Sequence, residues 1–256
     1  MCLLVMAFGV DPGAPLVVAA NRDERLDRGA TAMTVLDDGH PRILGGRDEE
    51  AGGTWLAVND HGLVAGLTNR PVPDGGDPAK RTRGELPLAL ARHRSADDAV
   101  EDFVERFSPT EYNPAWFLVG DRDSLYALDL TDGDRPTARR LGSGVHVLEN
   151  SPLSAPSPKV DRVRALLGPP GNLHGGDLME RLRLVLTDHV VAPGTASAGG
   201  RRPETLAACV HTDAYGTRSS TLIRVPRSRH RPPDVLVADG HPCTAPFVDA
   251  GALWTR

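Results

Sequence analysis

The chain has few cysteines, no excess of positive charge and no long hydrophobic run, and each shortage argues against a class of function. Its 256 residues include three cysteines, Cys2, Cys209 and Cys243, which form neither a paired framework nor a CxxC metal spacing. This pattern is typical of a reducing compartment, so we expect a cytoplasmic protein without a bound metal or cofactor. The formal net charge of -5 offers no basic surface for nucleic acid.

The hydrophobic residues are distributed as in a globular domain. No segment approaches the length of a membrane-spanning helix, and the start lacks a basic region followed by a long apolar segment. With 40% hydrophobic residues the chain can form a sizeable core. We therefore expect a single domain over residues 1–256, with the Pro/Gly-rich segments 71–78 and 192–203 as surface loops.

The opening residues carry the clearest chemical signal. Cys2 directly follows the initiator and is small enough for Met1 to be removed. Removal would leave a thiol and a free α-amine on one residue, and an amine with a pKa of about 7.7–8.0 can accept the thiol proton near neutral pH. A cysteine at this position is more often an ordinary small apolar residue, so both interpretations stay open.

Two short apolar runs follow, at residues 3–9 and 15–20, and the turn-forming segment Asp11-Pro12-Gly13 separates them. They predict a buried β-hairpin. The second run ends in Asn21-Arg22-Asp23-Glu24, where strand alternation places Asn21 and Asp23 on one face and Arg22 on the other. If the hairpin is central, Asp23 lies beside the chain terminus and holds its ammonium group or orients the thiol. The same cluster also fits a solvated turn.

The rest of the chain alternates between strand and helix patterns. Helical spacing appears at residues 84–94, 95–107, 158–167 and 176–189. Further strands are predicted at residues 54–58, 63–68, 115–119, 124–130, 137–141, 144–152 (ending in Asn-Ser-Pro), 222–225 and 235–238. The pairs Gly45-Gly46 and Gly52-Gly53 permit positive φ or close backbone approach, and two turns are the favoured interpretation.

Three polar residues near strand ends are candidate site residues. Asn69 can donate a hydrogen bond to a developing oxyanion, although asparagine at a strand end is also a common turn former. Asn150 ends a strand in the same way. Arg218 lies in a Ser/Thr-rich segment that enters a strand, where it could bind a substrate carboxylate with two hydrogen bonds or simply belong to a polar edge.

Several motifs follow one another in a fixed order along the chain. They are Met1-Cys2, Ala20-Asn21-Arg22-Asp23-Glu24, Gly45-Gly46-Arg47-Asp48, Gly52-Gly53-Thr54-Trp55, Leu67-Thr68-Asn69, Arg83-Gly84-Glu85-Leu86, Asn150-Ser151-Pro152, Pro158-Lys159-Val160 and Tyr215-Gly216-Thr217-Arg218-Ser219-Ser220-Thr221. Together they resemble the NRDE family, also called the transport and Golgi organisation protein 2 family, over nearly the whole chain. The resemblance implies an α+β fold, a four-layer αββα sandwich of N-terminal nucleophile hydrolase type with two antiparallel sheets between helical layers.

The chain is more distantly similar to the bile salt hydrolase and penicillin V acylase family. That similarity implies Cys2 as nucleophile, Asp23 as the aspartate beside it, and Asn69 and Asn150 as oxyanion donors. The catalytic arginine of that family has no counterpart, because Ala20 occupies its place and Arg22 would face the other way. We assign Asn21, Arg22 and Arg218 to substrate binding, with Arg218 a possible substitute for the family's late arginine.

The resemblance implies an N-terminal cysteine amidohydrolase that cleaves the C–N bonds of small linear amides through an acyl-enzyme. Acyl transfer to an amine or thiol is a variant of the same chemistry. The rival hypothesis is a non-catalytic protein that binds and traffics haem or lipid and acyl-CoA, because eukaryotic relatives of the NRDE family are linked to those processes. The sequence has no CxxCH motif for haem. A purely structural role is the third option.

Overall fold

The computed structural model describes residues 2–72, 75–131, 133–169, 175–192 and 203–255. Met1 and nearly all of the expected loop at 192–203 lie outside the described residues. The strands are β1 (Leu3–Asp11), β2 (Ala14–Arg25), β3 (Ala30–Asp37), β4 (Ile43–Asp48), β5 (Leu56–Asn59), β6 (Val64–Asn69), β7 (Ala115–Gly120), β8 (Leu125–Leu130), β9 (Thr137–Arg140), β10 (Gly144–Leu148), β11 (Tyr215–Val225), β12 (Asp234–Asp239) and β13 (Val248–Asp249). The α-helices are α1 (Glu85–Ala91), α2 (Ala96–Arg106), α3 (Pro158–Leu167) and α4 (Gly175–Leu186).

The strands form two antiparallel sheets. The first sheet has the order β10-β1-β2-β11-β12-β13, and the second has the order β3-β4-β5-β6-β7-β8-β9. The predicted hairpin of β1 and β2 is confirmed, and it lies inside the first sheet with β10 and β11 as its outer neighbours. The predicted meander of β7, β8 and β9 is also confirmed.

Three hydrophobic clusters separate four layers, which confirms the expected αββα sandwich. The central cluster joins the facing surfaces of the two sheets, with residues such as Met6 and Leu118. A second cluster packs α1 and α2 on the outer face of the second sheet through Leu90 and Phe103. A third packs α3 and α4 on the outer face of the first sheet, where Leu182 is fully buried. No helix in the described ranges is both long and apolar enough to cross a membrane.

The pair Gly45-Gly46 lies inside β4, so the predicted turn there is wrong. A Cβ at residue 45 would lie 2.4 Å from the backbone oxygen of Leu56, and one at residue 46 would lie 2.0 Å from the Trp55 ring. The glycines are needed for close approach rather than for a bend. The prediction of a turn at Gly52-Gly53 is confirmed, because these two glycines adopt φ angles of 69° and 79°.

A bulge interrupts the pairing of β2 with β11. Thr217 pairs with Asp23 and Ser219 pairs with Arg22, so Arg218 is an additional residue on β11. The pairing resumes with Ser220 opposite Asn21. The bulge therefore lies directly beside the polar end of β2.

Candidate active site

A cavity of about 650 Å³ opens where the start of β1 and the end of β2 face loops of the second sheet. Its volume falls within the range typical of small-molecule sites. We call it the Cys2 cavity, and its lining includes Cys2, Arg22, Asp23, Asn69, Arg83 and Asn150. Five of these six are residues that the sequence analysis selected, and the sixth, Arg83, was not among them.

Asn150 connects Cys2 to the second sheet. The backbone nitrogen of Cys2 donates a hydrogen bond of 2.9 Å to Asn150 Oδ1. Asn150 Nδ2 in turn donates to the backbone oxygen of Asn69 at 2.6 Å, and the Thr68 hydroxyl donates to the backbone oxygen of Glu149 at 2.8 Å. The segment after β10 thus holds the end of β6 and the start of β1 together at the cavity.

The Cys2 thiol is half-buried. Burial raises its pKa, and this effect outweighs the positive charges of the amino terminus and Arg22, which lower it. The thiol is therefore protonated at neutral pH, and its attack on a carbonyl carbon requires a base that accepts the proton.

Asp23 is buried beside Cys2 and is held by β11. The Thr217 hydroxyl donates to Asp23 Oδ1 at 2.6 Å, and the Tyr215 hydroxyl donates to the Asp23 backbone oxygen at 3.0 Å. Burial raises the pKa of the Asp23 carboxyl, whereas the positive charges of the amino terminus and Lys159 lower it. The carboxylate therefore depends on nearby cations to remain ionised.

Lys159 is one of these cations, and the sequence analysis missed its role. It lies in the first turn of α3, where Ser157 caps the helix by accepting a hydrogen bond from the Val160 amide. The side chain is only 4% exposed, and its Nζ has no hydrogen-bond partner in the described part of the chain. The signal was present in the sequence as the motif Pro158-Lys159-Val160, which contributed to the family resemblance and to a predicted helix but was given no role at the site.

Arg22 is fixed on the opposite face of β2. Its guanidinium stacks 4.4 Å from the centre of the Trp55 ring and contacts Asp48 Oδ2 at 3.2 Å. Arg28 binds the same carboxylate through two hydrogen bonds of 2.8 and 3.1 Å. Burial alone would raise the pKa of Asp48, but the hydrogen bonds from Arg28 and from backbone amides lower it below its usual value. Arg22 is part of the cavity lining, and its Nη1 is buried without a hydrogen-bond partner among the residues described.

Arg83 is a second cation of the cavity, and it lies just before α1. Its Nη1 donates to the backbone oxygen of Pro114 at 3.1 Å. Burial lowers the pKa of Arg83, and this effect outweighs the electrostatic interaction with Cys2, which raises it. No carboxylate within the described ranges forms an ion pair with Arg83. Its charge therefore remains available to a bound anion.

Two of the predicted substrate-binding residues do not line the cavity. Asn21 Nδ2 donates to the backbone oxygens of Leu186 and Ala208 at 2.9 and 2.8 Å, and its Oδ1 accepts from the Ser220 hydroxyl. Arg218 donates to the backbone oxygens of Arg25 and Leu26. These contacts use the polar atoms of both residues to hold strands and loops together.

Sequence comparison places the chain among known proteins. The profile described as Transport and Golgi organisation 2 matches residues 1–231. The chain belongs to this family. The Transport and Golgi organization protein 2 homolog of Bos taurus is 30% identical over 262 residues, and the homolog of Homo sapiens is 28% identical over 266 residues. Each alignment covers 90% of this chain and 90% of the relative.

The fold of this family member is that of N-terminal nucleophile hydrolases. The Caenorhabditis elegans N-acylethanolamine-hydrolyzing acid amidase ortholog superposes with a TM-score of 0.55 at 12% sequence identity. The superposition covers 90% of this chain and 96% of the nematode chain. The likeness therefore extends over the whole αββα sandwich.

Proposed function

We propose that this protein is an N-terminal cysteine amidohydrolase that cleaves the C–N bond of small linear amides. The observation that carries the proposal is the hydrogen bond of 2.9 Å between the Cys2 nitrogen and Asn150 Oδ1, at the wall of a cavity of about 650 Å³. If Met1 is removed, that nitrogen becomes a free amine on the same residue as the thiol. One residue then supplies both nucleophile and base.

In the first half-reaction the α-amine of Cys2 accepts the thiol proton as the sulfur attacks the amide carbon. The free amine suits this task because its ordinary pKa of about 7.7–8.0 lies near neutral pH. Asn150 Oδ1 orients the amine, and the Asp23 carboxylate stabilises the ammonium that forms. The C–N bond then breaks, the ammonium proton passes to the leaving amine, and a thioester on Cys2 remains.

Asn150 and Asn69 are the proposed donors to the oxyanion of the tetrahedral intermediate. Asn150 Nδ2 uses one proton on the Asn69 backbone oxygen and retains another for the substrate. The Asn69 side chain is exposed at the cavity wall. Such preorganised donors are worth about 2.7–4 kcal/mol each in acyl transfer.

Arg83 is the less constrained of the two arginines that line the cavity with Cys2. The Arg22 guanidinium is held by Asp48 and Trp55, whereas Arg83 makes one hydrogen bond to the described residues, to a backbone oxygen. We assign Arg83 to the developing negative charge and Arg22 Nη1 to a polar group of the substrate.

In the second half-reaction water attacks the thioester, an acid leaves, and the thiol of Cys2 is restored.

Mass spectrometry of the untagged protein tests the proposal directly. The intact mass is measured before and after exposure to a thiol-directed acyl electrophile, and peptide mapping locates the adduct. We expect Met1 to be absent and a single acyl group to form on Cys2. The adduct should persist in Cys243→Ala, which removes an exposed thiol, and vanish in Cys2→Ala.

Retention of Met1 in the folded protein would refute the mechanism, because the nitrogen of Cys2 would then be an amide without basicity. Equal acylation of Cys2→Ala and the wild type would refute it as well. Addition of small linear amides to the Met1-free protein, with detection of the released amine, then tests the substrate class.

A further inference from the structure

A second group of reactive side chains lies beside the start of β11, and none of them lines the Cys2 cavity. His189 follows α4, Cys209 and His211 precede β11, and Cys243 follows β12. One potential ligand atom from each of His189, Cys209 and Cys243 lies within 4.8 Å of the other two. His211 Nδ1 lies 4.0 Å from Cys243 Sγ. Three segments that are distant in sequence thus bring two thiols and two imidazoles together.

We propose that His189, Cys209, His211 and Cys243, which we call the His/Cys cluster, bind Zn²⁺ or a similar thiophilic divalent cation. Two thiolates and two imidazoles are a common ligand set for structural zinc. Binding breaks the two S–H bonds, forms two metal–sulfur bonds and releases two protons to solvent. The resulting site pairs two negative charges with the two positive charges of the ion.

The spacing of the cluster fits a tetrahedral ion after small side-chain rotations. Bonds of about 2.0–2.3 Å hold the ligand atoms of such an ion about 3.3–3.8 Å apart. The separations among His189, Cys209 and Cys243, up to 4.8 Å, exceed this by about an ångström. The fourth ligand, His211, lies 4.0 Å from Cys243 through its Nδ1.

One ligand has an outer hydrogen bond of the kind found in established metal sites, and a second ligand packs against a neighbouring ring. His189 Nδ1 lies 3.1 Å from the backbone oxygen of Cys209, so it carries the proton and leaves the Nε2 lone pair for the ion. The ring of His241 packs 3.7 Å from that of His211 and supports it from behind. His241 Nδ1 is buried and lacks a hydrogen-bond partner within the described residues.

Gly216 makes this packing possible. A Cβ at residue 216 would lie 2.9 Å from His241 Cε1 and 2.8 Å from the backbone oxygen of Val210. The absence of a side chain at Gly216 therefore admits the His241 ring to the cluster. His241 is a positioning residue in this proposal.

One side of the cluster is exposed to solvent, and the other side is buried. Cys243 and His189 are exposed, so an ion can enter from solvent, whereas Cys209 is 1% exposed. A disulfide between Cys209 and Cys243 is the competing use of the two thiols. A disulfide would not explain why His189, His211 and His241 lie close together at this place.

Titration of the reduced, metal-free, full-length protein with Co²⁺ tests the proposal. We expect one equivalent to bind, with a sulfur-to-cobalt charge-transfer band in the near ultraviolet and the visible bands of a tetrahedral ion, and Zn²⁺ to displace it. Loss of one ligand in Cys243→Ser or His189→Ala should weaken binding by at least about 10-fold. Both positions are exposed, so these variants leave the core intact. His230→Ala, at an exposed histidine outside the cluster, is the matched control and should bind as the wild type does.

Two results would overturn the proposal. One is the absence of a thiolate-to-cobalt band at stoichiometric metal in the reduced protein. The other is weak binding that is unchanged by Cys243→Ser and His189→Ala, because the metal would then lie elsewhere. Peptide mapping without reductant could instead find a Cys209–Cys243 disulfide. Together with no cobalt binding after reduction, that result would show that the two thiols form a disulfide and do not bind a metal.

Discussion

Burial raises the pKa of the thiols of Cys2 and Cys209 alike, and the negative charge of Asp23 adds to the effect at both. At Cys209 the neighbouring Cys243 contributes as well, and the pKa rises to about 12. The two regions differ in the neighbouring groups that could offset the raised pKa of the thiol. Cys2 has its own backbone nitrogen and an open cavity, whereas Cys209 faces imidazoles and a second thiol. The comparison teaches that the function of a buried cysteine depends on whether a base or a cation lies close enough to act on its thiol. Four predictions test that distinction.

Asn150→Ala should have the largest effect, and only on the Cys2 region. We expect the rate of Cys2 acylation to fall about 100–1000-fold, because both an oxyanion donor and the partner of the Cys2 nitrogen are lost. Asn150→Asp is the matched variant, since it keeps an acceptor for that nitrogen while it removes the donor and adds a negative charge. Stopped-flow acylation measures the rates. Weaker cobalt binding in Asn150→Ala would contradict the separation of the two regions.

Thr217→Val should break the link between the regions. The Thr217 hydroxyl donates to Asp23 and accepts a 2.9 Å hydrogen bond from the Val210 amide. Because both partners are buried, we expect the free energy of unfolding to drop by roughly 2–4 kcal/mol in urea denaturation. Thr217→Ser should recover most of this loss. Equal stability of the valine and serine variants would show that the hydroxyl is not the link.

Zinc should stabilise the protein through the His/Cys cluster alone. A ligand at 100 times its dissociation constant adds about 2.7 kcal/mol to the free energy of unfolding when it binds only the folded state. We expect this gain in the wild type and in Asn150→Ala, and not in His189→Ala. Thermal unfolding with and without Zn²⁺ measures it. The same gain in His189→Ala would place the ion outside the cluster.

Asp48→Asn should have the smallest effect and the clearest pH dependence. It weakens the ion pairs with Arg22 and Arg28, and we expect a loss of about 1–2 kcal/mol at pH 7. The folded-state pKa of Asp48 is lowered, so its stabilising effect is present above the unfolded value of 3.8 and disappears as the pH falls through the folded value. The stability difference between wild type and variant should therefore shrink in acid. A difference that is constant with pH would contradict an ionic role.

The elements that sequence predicted well have local signals. The β1–β2 hairpin has a turn segment between two apolar runs, and α2 has helical spacing over residues 95–107, where Ser95 caps the helix by accepting a hydrogen bond from the Asp98 amide. Strands β3 and β4 had no such signal. Gly45 and Gly46 look like a turn until the Trp55 ring and the Leu56 carbonyl are known to lie against them.

The same limit applies to the site residues. Cys2, Asp23, Asn69 and Asn150 were selected from motifs, and the fold brings them to one cavity. Arg83 was quoted only as part of the motif Arg83-Gly84-Glu85-Leu86, and the tertiary fold is needed to show that it lines the same cavity as Cys2.

The His/Cys cluster was hidden for a topological reason. Its four ligands span residues 189 to 243, and they meet because β11 pairs with β12 and because the Cys209 amide binds the backbone oxygen of Asp188. Such long separations fit none of the compact ligand spacings by which metal sites are recognised in a sequence.

The bulge at Arg218 corrects the parity of β11. Side chains an even number of residues apart share a face of a strand, so Thr217 and Ser220, three residues apart, should face opposite ways. Yet they bind Asp23 and Asn21, which are two apart on β2 and share a face. The bulge absorbs the additional residue, so both halves of β11 keep their facing. Deletion of one residue at position 218 would therefore leave the two hydroxyls two residues apart, opposite the same partners and on the same face, and would remove only the bulge and its arginine.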